Sequence, residues 1–173
     1  MNVHLPNRMT VDEFLRWGQQ QERGRYELEG GRVVVQQAQN IDHLKTKARA
    51  FAAIERAVAR SGLAFYALPD GATVRIAVDY AYEPDVLVAP LPEPAGTSFE
   101  VPDPIIVVEV MSPSPASMRR DLTTKAIGYA LVPSIRHYLV IDPAERVVLH
   151  YRRKGDLLIP PDAPSEGTLR LDP

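Results

Sequence analysis

The run Ile105-Ile106-Val107-Val108-Glu109-Val110-Met111 constrains the fold more than any other feature of the sequence. It is too short for a membrane span and lacks the polar alternation of a half-solvated strand, so it reads as a strand buried within a sheet. Such a strand needs other layers to cover it, and 173 residues suffice for one domain with a sizeable core.

The rest of the chain supplies those layers. Thr10-Val11-Asp12-Glu13 is a capping-box pattern that opens a short helix reaching about Arg23. Gly30-Gly31 separates two strand-like segments, 25–29 and 32–36, and suits a primed hairpin turn. A helix follows over 42–60, then strands at 63–68, 73–78, 85–89 and 105–111, a helix at 117–131, and strands at 136–141 and 146–151. The order predicts an α+β (mixed α/β) fold: a mixed sheet flanked by helices, with an N-terminal helix and a β-hairpin. Sixteen prolines, clustered in 84–104, 113–115 and 160–173, mark loops and a loosely ordered tail. The expected division is a domain over 1–155 and a Pro-rich tail over 156–173.

Charge and cysteine usage remove several classes of function. A net charge of −2 gives no general attraction for nucleic acid, so a polyanionic partner would need a local basic patch. With no cysteine, a disulfide framework, a thiolate metal site and a cysteine nucleophile are excluded. No apolar run is long enough to span a membrane and residues 1–10 lack a signal-peptide core, so the expected setting is soluble and cytoplasmic.

Three charged residues stand out against this background. Glu109 lies near the end of the buried strand, where a carboxylate is costly unless it is paired, bound to a metal or able to reach solvent at the strand's exit. Asp85 opens another strand directly after Pro84, as a site residue or as a turn aspartate. Lys125 falls within the apolar stripe of Met118, Leu122 and Tyr129 on the 117–131 helix, where it either snorkels, pairs with Asp121 four residues earlier, or serves a site. Converging, these three would hold a hard divalent cation and face a phosphate.

On the 42–60 helix, Leu44, Ala48, Phe51, Ala52 and Val58 form the expected apolar face, and Lys45, Arg49, Arg56 and Arg60 a basic stripe. His43 reads as a surface residue, a proton shuttle or an anion contact. His137 and His150 are too scattered to propose zinc, and Arg146, His150, Arg152, Arg153 and Lys154 form a solvated hairpin end or a polyanion patch.

Several segments match a known family in order. They are Met9-Thr10-Val11-Asp12-Glu13-Phe14, Tyr26-Glu27-Leu28-Glu29-Gly30-Gly31, Glu83-Pro84-Asp85-Val86-Leu87-Val88, Pro104 through Ser114, Arg120-Asp121-Leu122-Thr123-Thr124-Lys125 with Tyr129, and Tyr138-Leu139-Val140-Ile141-Asp142-Pro143. Over about residues 9–151 the chain resembles the Uma family of restriction-endonuclease-like proteins. The resemblance implies a PD-(D/E)XK nuclease fold, with Asp85 the motif aspartate, Glu109 the motif glutamate and Glu27 an acidic residue supplied earlier. Met111 stands where the usual lysine would be, and the resemblance assigns that role to Lys125. His137 replaces an expected glutamate.

The leading expectation is therefore a Mg²⁺- or Mn²⁺-dependent DNA endonuclease. Asp85, Glu109 and the carbonyl of Val110 would hold the metal, Lys125 would orient or deprotonate water, and Glu27 would assist. Lys45, Arg49, Arg56 and Arg60 would contact phosphates. A homodimer is expected by analogy. The alternative is a non-catalytic nuclease-fold module for DNA binding or self-assembly. A metal-free hydrolase using Glu109 and Asp85 as acid and base stands behind both, because nothing in the sequence favours a sugar substrate.

Overall fold

The computed structural model describes residues 8–22, 24–112, 114–162 and 167–172. In chain order the elements are α1 (Val11–Gly18), β1 (Tyr26–Glu29), β2 (Arg32–Val35), α2 (Ile41–Ser61), β3 (Phe65–Pro69), β4 (Val74–Ala77), β5 (Tyr80–Tyr82), β6 (Val86–Pro90) and β7 (Ile106–Val110). Next come α3 (Pro115–Arg119), a π-helical turn (Arg120–Lys125), α4 (Ala126–Ala130), β8 (His137–Asp142), β9 (Val147–Lys154) and β10 (Leu157–Asp162).

Local signals explain the first elements. Thr10 caps α1, accepting from the Glu13 amide while the Glu13 carboxylate accepts from the Thr10 amide, and Val11 and Phe14 face inward. The helix stops at Gly18 rather than near Arg23, which lies outside the described residues. Gly30 and Gly31 have φ of 54° and 75°, the pair of left-handed conformations that the tight β1–β2 hairpin needs.

Two sheets result. A four-stranded sheet has the order β2-β1-β5-β4, and a six-stranded sheet has the order β10-β9-β8-β7-β6-β3. In the larger sheet β7 and β8 are parallel, joined by the α3–α4 helical segment, and every other neighbouring pair is antiparallel. Strand β7 is buried on both faces, as its apolar run requires. Val108 faces a layer containing Phe51, Ile54 and Val58 of α2, whereas Val107 and Met111 face Met118, Leu122 and Tyr129 of the other helical segment. Alternation therefore turns Glu109 toward the α3–α4 side. The small sheet approaches that segment through Tyr82. A Cβ at Gly128 would come within 2.6 Å of the Tyr82 ring, so only glycine admits this approach.

The expected α+β fold is the one observed, with differences of detail. Strand β5, only three residues long, had no sequence signal of its own. Within the segment expected as a tail, β10 pairs with β9 as an edge strand, and Leu169 and Leu171 pack against the α2-facing layer of the large sheet. Helix α2 is rotated about its axis from the expected face. Leu44 is 47% exposed, Ala48 is exposed, and His43 and Lys47 are buried instead. No helix among the described residues is long and apolar enough to cross a membrane.

Candidate active site

Strand pairing brings the acids together. The register Val86↔Val108 sets Asp85, just before β6, beside Glu109 in β7, and both line a cavity of about 50 Å³ with Val110, Glu83, Asp121 and Lys125. A backbone clamp fixes the floor. The Val110 amide donates to Asp85 Oδ2 at 2.7 Å, and the Val110 carbonyl accepts from His43 Nε2 at 2.7 Å.

Lys125 is 3% exposed, and its Nζ lies 2.8 Å from Glu109 Oε1 and 3.0 Å from Glu27 Oε1. Its ion pairs are thus to other elements rather than to Asp121 four residues earlier. The π-helical turn places Arg120 and Lys125, five residues apart, on one face, and both reach Glu27. Tyr129 donates its hydroxyl to the same Glu109 oxygen at 2.7 Å.

Glu27 is collected into the network as its central acceptor rather than as a wall of the cavity. Its Oε1 accepts from the Glu83 amide at 2.8 Å and faces Lys125, and its Oε2 accepts from Gln36 at 2.6 Å and from Arg120. Asp85 Oδ1 is 2.7 Å from Lys47 Nζ, and Lys47 has further acceptors in Asp70 and Gln39. Arg25 stands 3.9 Å from the same Asp85 oxygen.

The electrostatics follow from burying many carboxylates together. Burial pushes Glu109 up to about 8 despite the Lys125 ammonium beside it, Glu83 up to about 7, and Asp121 up to about 6. Burial opposes the charged form of Glu27 too, but Lys125, Arg120 and the Glu83 amide outweigh it and hold that carboxyl below its ordinary value. Burial likewise disfavours the Lys125 ammonium, yet Glu109 and Glu27 hold its pKa above that of an ordinary lysine.

An oxygen-only donor set of two carboxylates and a backbone carbonyl suits a hard cation such as Mg²⁺ or Mn²⁺. In the present arrangement ammonium groups occupy those carboxylates. Among the described residues no three acidic or imidazole side chains stand close enough to ligate one ion as they are. Glu27 is not among the residues that line the cavity shared by Asp85 and Glu109.

Other expected residues fall elsewhere. Lys45, Arg49, Arg56 and Arg60 are exposed, and at 100° per residue they lie roughly 200° around α2 from its buried face. His43 is buried on Val110 rather than at the surface. The sheet brings His137 and His150 together, Nδ1 to Nε2 at 2.9 Å, and His137 Nε2 donates to the Asp172 carbonyl. Arg153 leaves the supposed basic cluster to donate to the carbonyls of Ala130, Val132 and Ile135, closing the C-terminal end of α4.

The sequence matches Uma2, described as "Putative restriction endonuclease", over residues 11–173. The chain belongs to that family. A crystal structure of a putative nuclease from Anabaena variabilis is similar to it at a TM-score of 0.67 and 17% sequence identity, covering 91% of this chain and 85% of that one, which shows a shared fold. No curated protein matches. In this Uma2 chain the sequence reading passed over Lys47, Glu83, Arg120 and Asp121 as members of the cluster. Glu83 adjoins the Pro84-Asp85 pair and Arg120-Asp121 opens the segment ending in Lys125, so their motifs carried some signal; Lys47 carried none.

Proposed function

We propose that the protein is a metal-dependent nuclease that hydrolyses phosphodiester bonds in DNA. The observation that carries the reading is the meeting of Asp85, Glu109 and the Val110 backbone at one small cavity, with the Lys125 ammonium held on Glu109. Asp85, Glu109 and the Val110 carbonyl would hold Mg²⁺ or Mn²⁺. When bound, such a cation supplies charge stabilisation at the phosphate and acidifies water.

The chain's own groups then have distinct tasks. Glu27 and Glu109 fix the Lys125 ammonium, whose raised pKa makes it an orienting and charge-stabilising group rather than a base. Arg120 lines both the inner cavity and an adjoining cleft of about 320 Å³, which makes it the phosphate contact nearest the scissile bond. The exposed row Lys45, Arg49, Arg56 and Arg60 serves only DNA extending around the outer side of α2. In the net reaction water's oxygen and one proton end on the phosphate, the ester P–O bond breaks, and the second proton ends on the released hydroxyl.

The rival reading, a non-catalytic module, is favoured by the ammonium groups already seated on Asp85 and Glu109. A cleavage assay on plasmid and single-stranded DNA with Mg²⁺, Mn²⁺ or EDTA separates the two. Wild type should cleave only with metal, and Glu109→Gln, which keeps the shape of the side chain, should lose at least about 10²-fold in rate. Absence of cleavage by wild type with either metal refutes the nuclease reading. For double-strand cutting we propose a homodimer, which sedimentation velocity tests directly.

A further inference from the structure

His43 is 4% exposed, yet its ring is only half used. Nε2 lies 2.7 Å from the Val110 carbonyl, which can only accept, so Nε2 carries the proton. In the neutral ring Nδ1 is then a bare acceptor, and it is buried with no hydrogen-bond partner among the described residues. Such orphans are rare in folded proteins because an unpaired buried acceptor costs stability. The position is equally distinctive. His43 lines both the inner cavity that holds Asp85, Glu109 and Lys125 and the larger outer cleft, so it stands where the two meet.

The two spaces differ in what they admit. The inner cavity, about 50 Å³, has room for water-sized ligands, whereas the outer cleft of about 320 Å³ is large enough for part of a nucleotide. Its wall adds Gln36, Gln39, Ser112, Ser117 and Arg120 from the inner cavity's own lining. As the ring lies, Nδ1 offers almost no surface to a probe the size of water, so a ligand that hydrogen-bonds to it from the junction enters with a small shift of the ring or its neighbours. Water is small enough to do so and can donate the bond.

Resting on the nuclease reading above, we propose that His43 Nδ1 accepts a hydrogen bond from the water that attacks phosphorus, and so sets the direction of its attacking lone pair. One imidazole thereby does two things: Nε2 holds the Val110 carbonyl in place and Nδ1 orients the nucleophile. Because α2 begins at Ile41 with Asn40 as its cap, and the His43 amide donates to Asn40 Oδ1 at 2.8 Å, the first turn that carries the ring is itself fixed.

Two variants divide the two tasks. His43→Gln sets an amide near the place of Nε2, keeping the carbonyl clamp and losing the acceptor. His43→Asn sets its amide near the place of Nδ1, keeping an acceptor and losing the clamp. At saturating Mn²⁺, His43→Gln should keep Mn²⁺ affinity and KM while kcat falls about tenfold or more, and His43→Asn should retain the higher kcat of the two. A Gln variant as fast as wild type, or faster than the Asn variant, overturns the proposal. A crystal of the wild-type protein with Mn²⁺ gives a reading independent of turnover: an ordered water about 3 Å from Nδ1 is expected, and an Nδ1 left dry or bonded to protein overturns it. Glu109→Gln is the control for the underlying reading. Wild-type cleavage in that variant refutes the nuclease assignment, whatever the His43 variants do.

Discussion

Replacing Lys125 with methionine removes the one ammonium shared by Glu109 and Glu27, and the consequences for the two acids differ. Glu27 keeps Arg120, Gln36 and the Glu83 amide, so it stays satisfied. Among the described residues Glu109 keeps only the Tyr129 hydroxyl. Removing one partner of a buried pair costs about 3–5 kcal/mol, because the other charge is left buried without compensation. Glu109 has an escape, since its carboxyl already titrates near 8 and can take up a proton. The loss should therefore fall below that range at pH 6, where Glu109 is largely protonated, and lie within it, about 3–5 kcal/mol, at pH 9. At about 2–4 °C per kcal/mol for a chain of this size, the melting temperature at pH 9 falls by roughly 6–20 °C. Urea unfolding in EDTA at both pH values measures this directly. The double variant Lys125→Met with Glu109→Gln should recover most of the loss, because a neutral amide on Tyr129 needs no counter-charge. A loss below about 1 kcal/mol at both pH values would refute the clamp, since that is what a solvent-reaching lysine gives.

Two further outcomes follow from the same cluster. Lys47→Met frees Asp85 Oδ1 and should tighten Mn²⁺ binding about tenfold by calorimetry while lowering the melting temperature of the metal-free protein; unchanged or weaker Mn²⁺ binding would show that Lys47 does not compete for Asp85. Burial holds Glu109, Glu83 and Asp121 at about 8, 7 and 6, above the ordinary carboxylate values, so between roughly pH 4.5 and 8 the folded state binds more protons than the unfolded one. Stability in EDTA should accordingly fall as pH rises from 5 to 8, and a melting temperature that climbs over that interval refutes the shared burial of these acids.

Much of this protein was legible residue by residue. The capping box at Thr10 and Glu13, the Gly30-Gly31 turn and the buried strand around Glu109 are local matters of hydrogen bonding, backbone conformation and periodicity, and each forms as read. The inward phase of Lys125 was legible too, although its partners were not. Helix α2 shows where such reading fails. Angular bookkeeping assumes that apolar residues face in, and on that basis Leu44 and Ala48 were turned to the core. The helix buries His43 and Lys47 instead. A lysine and a histidine can be buried when acceptors meet them, and apart from Gln39 theirs are Asp85, Asp70 and the Val110 carbonyl, which lie 23 to 67 residues away in sequence.

Arg153 and β10 make the same point at the other end of the chain. Nothing near Arg153 in sequence distinguishes it from its basic neighbours, and its role depends on carbonyls 18 to 23 residues earlier at the end of α4. The sequence by itself determined most of the segments that become helices and strands, β5 and β10 excepted, and which acids and lysine do not belong in an apolar setting, because propensity, capping and periodicity act over a few residues. Only the tertiary structure decided which charge meets which. Pairing at a few ångströms depends on strand register and helix rotation, and these are set by the packing of the whole core rather than by any segment alone.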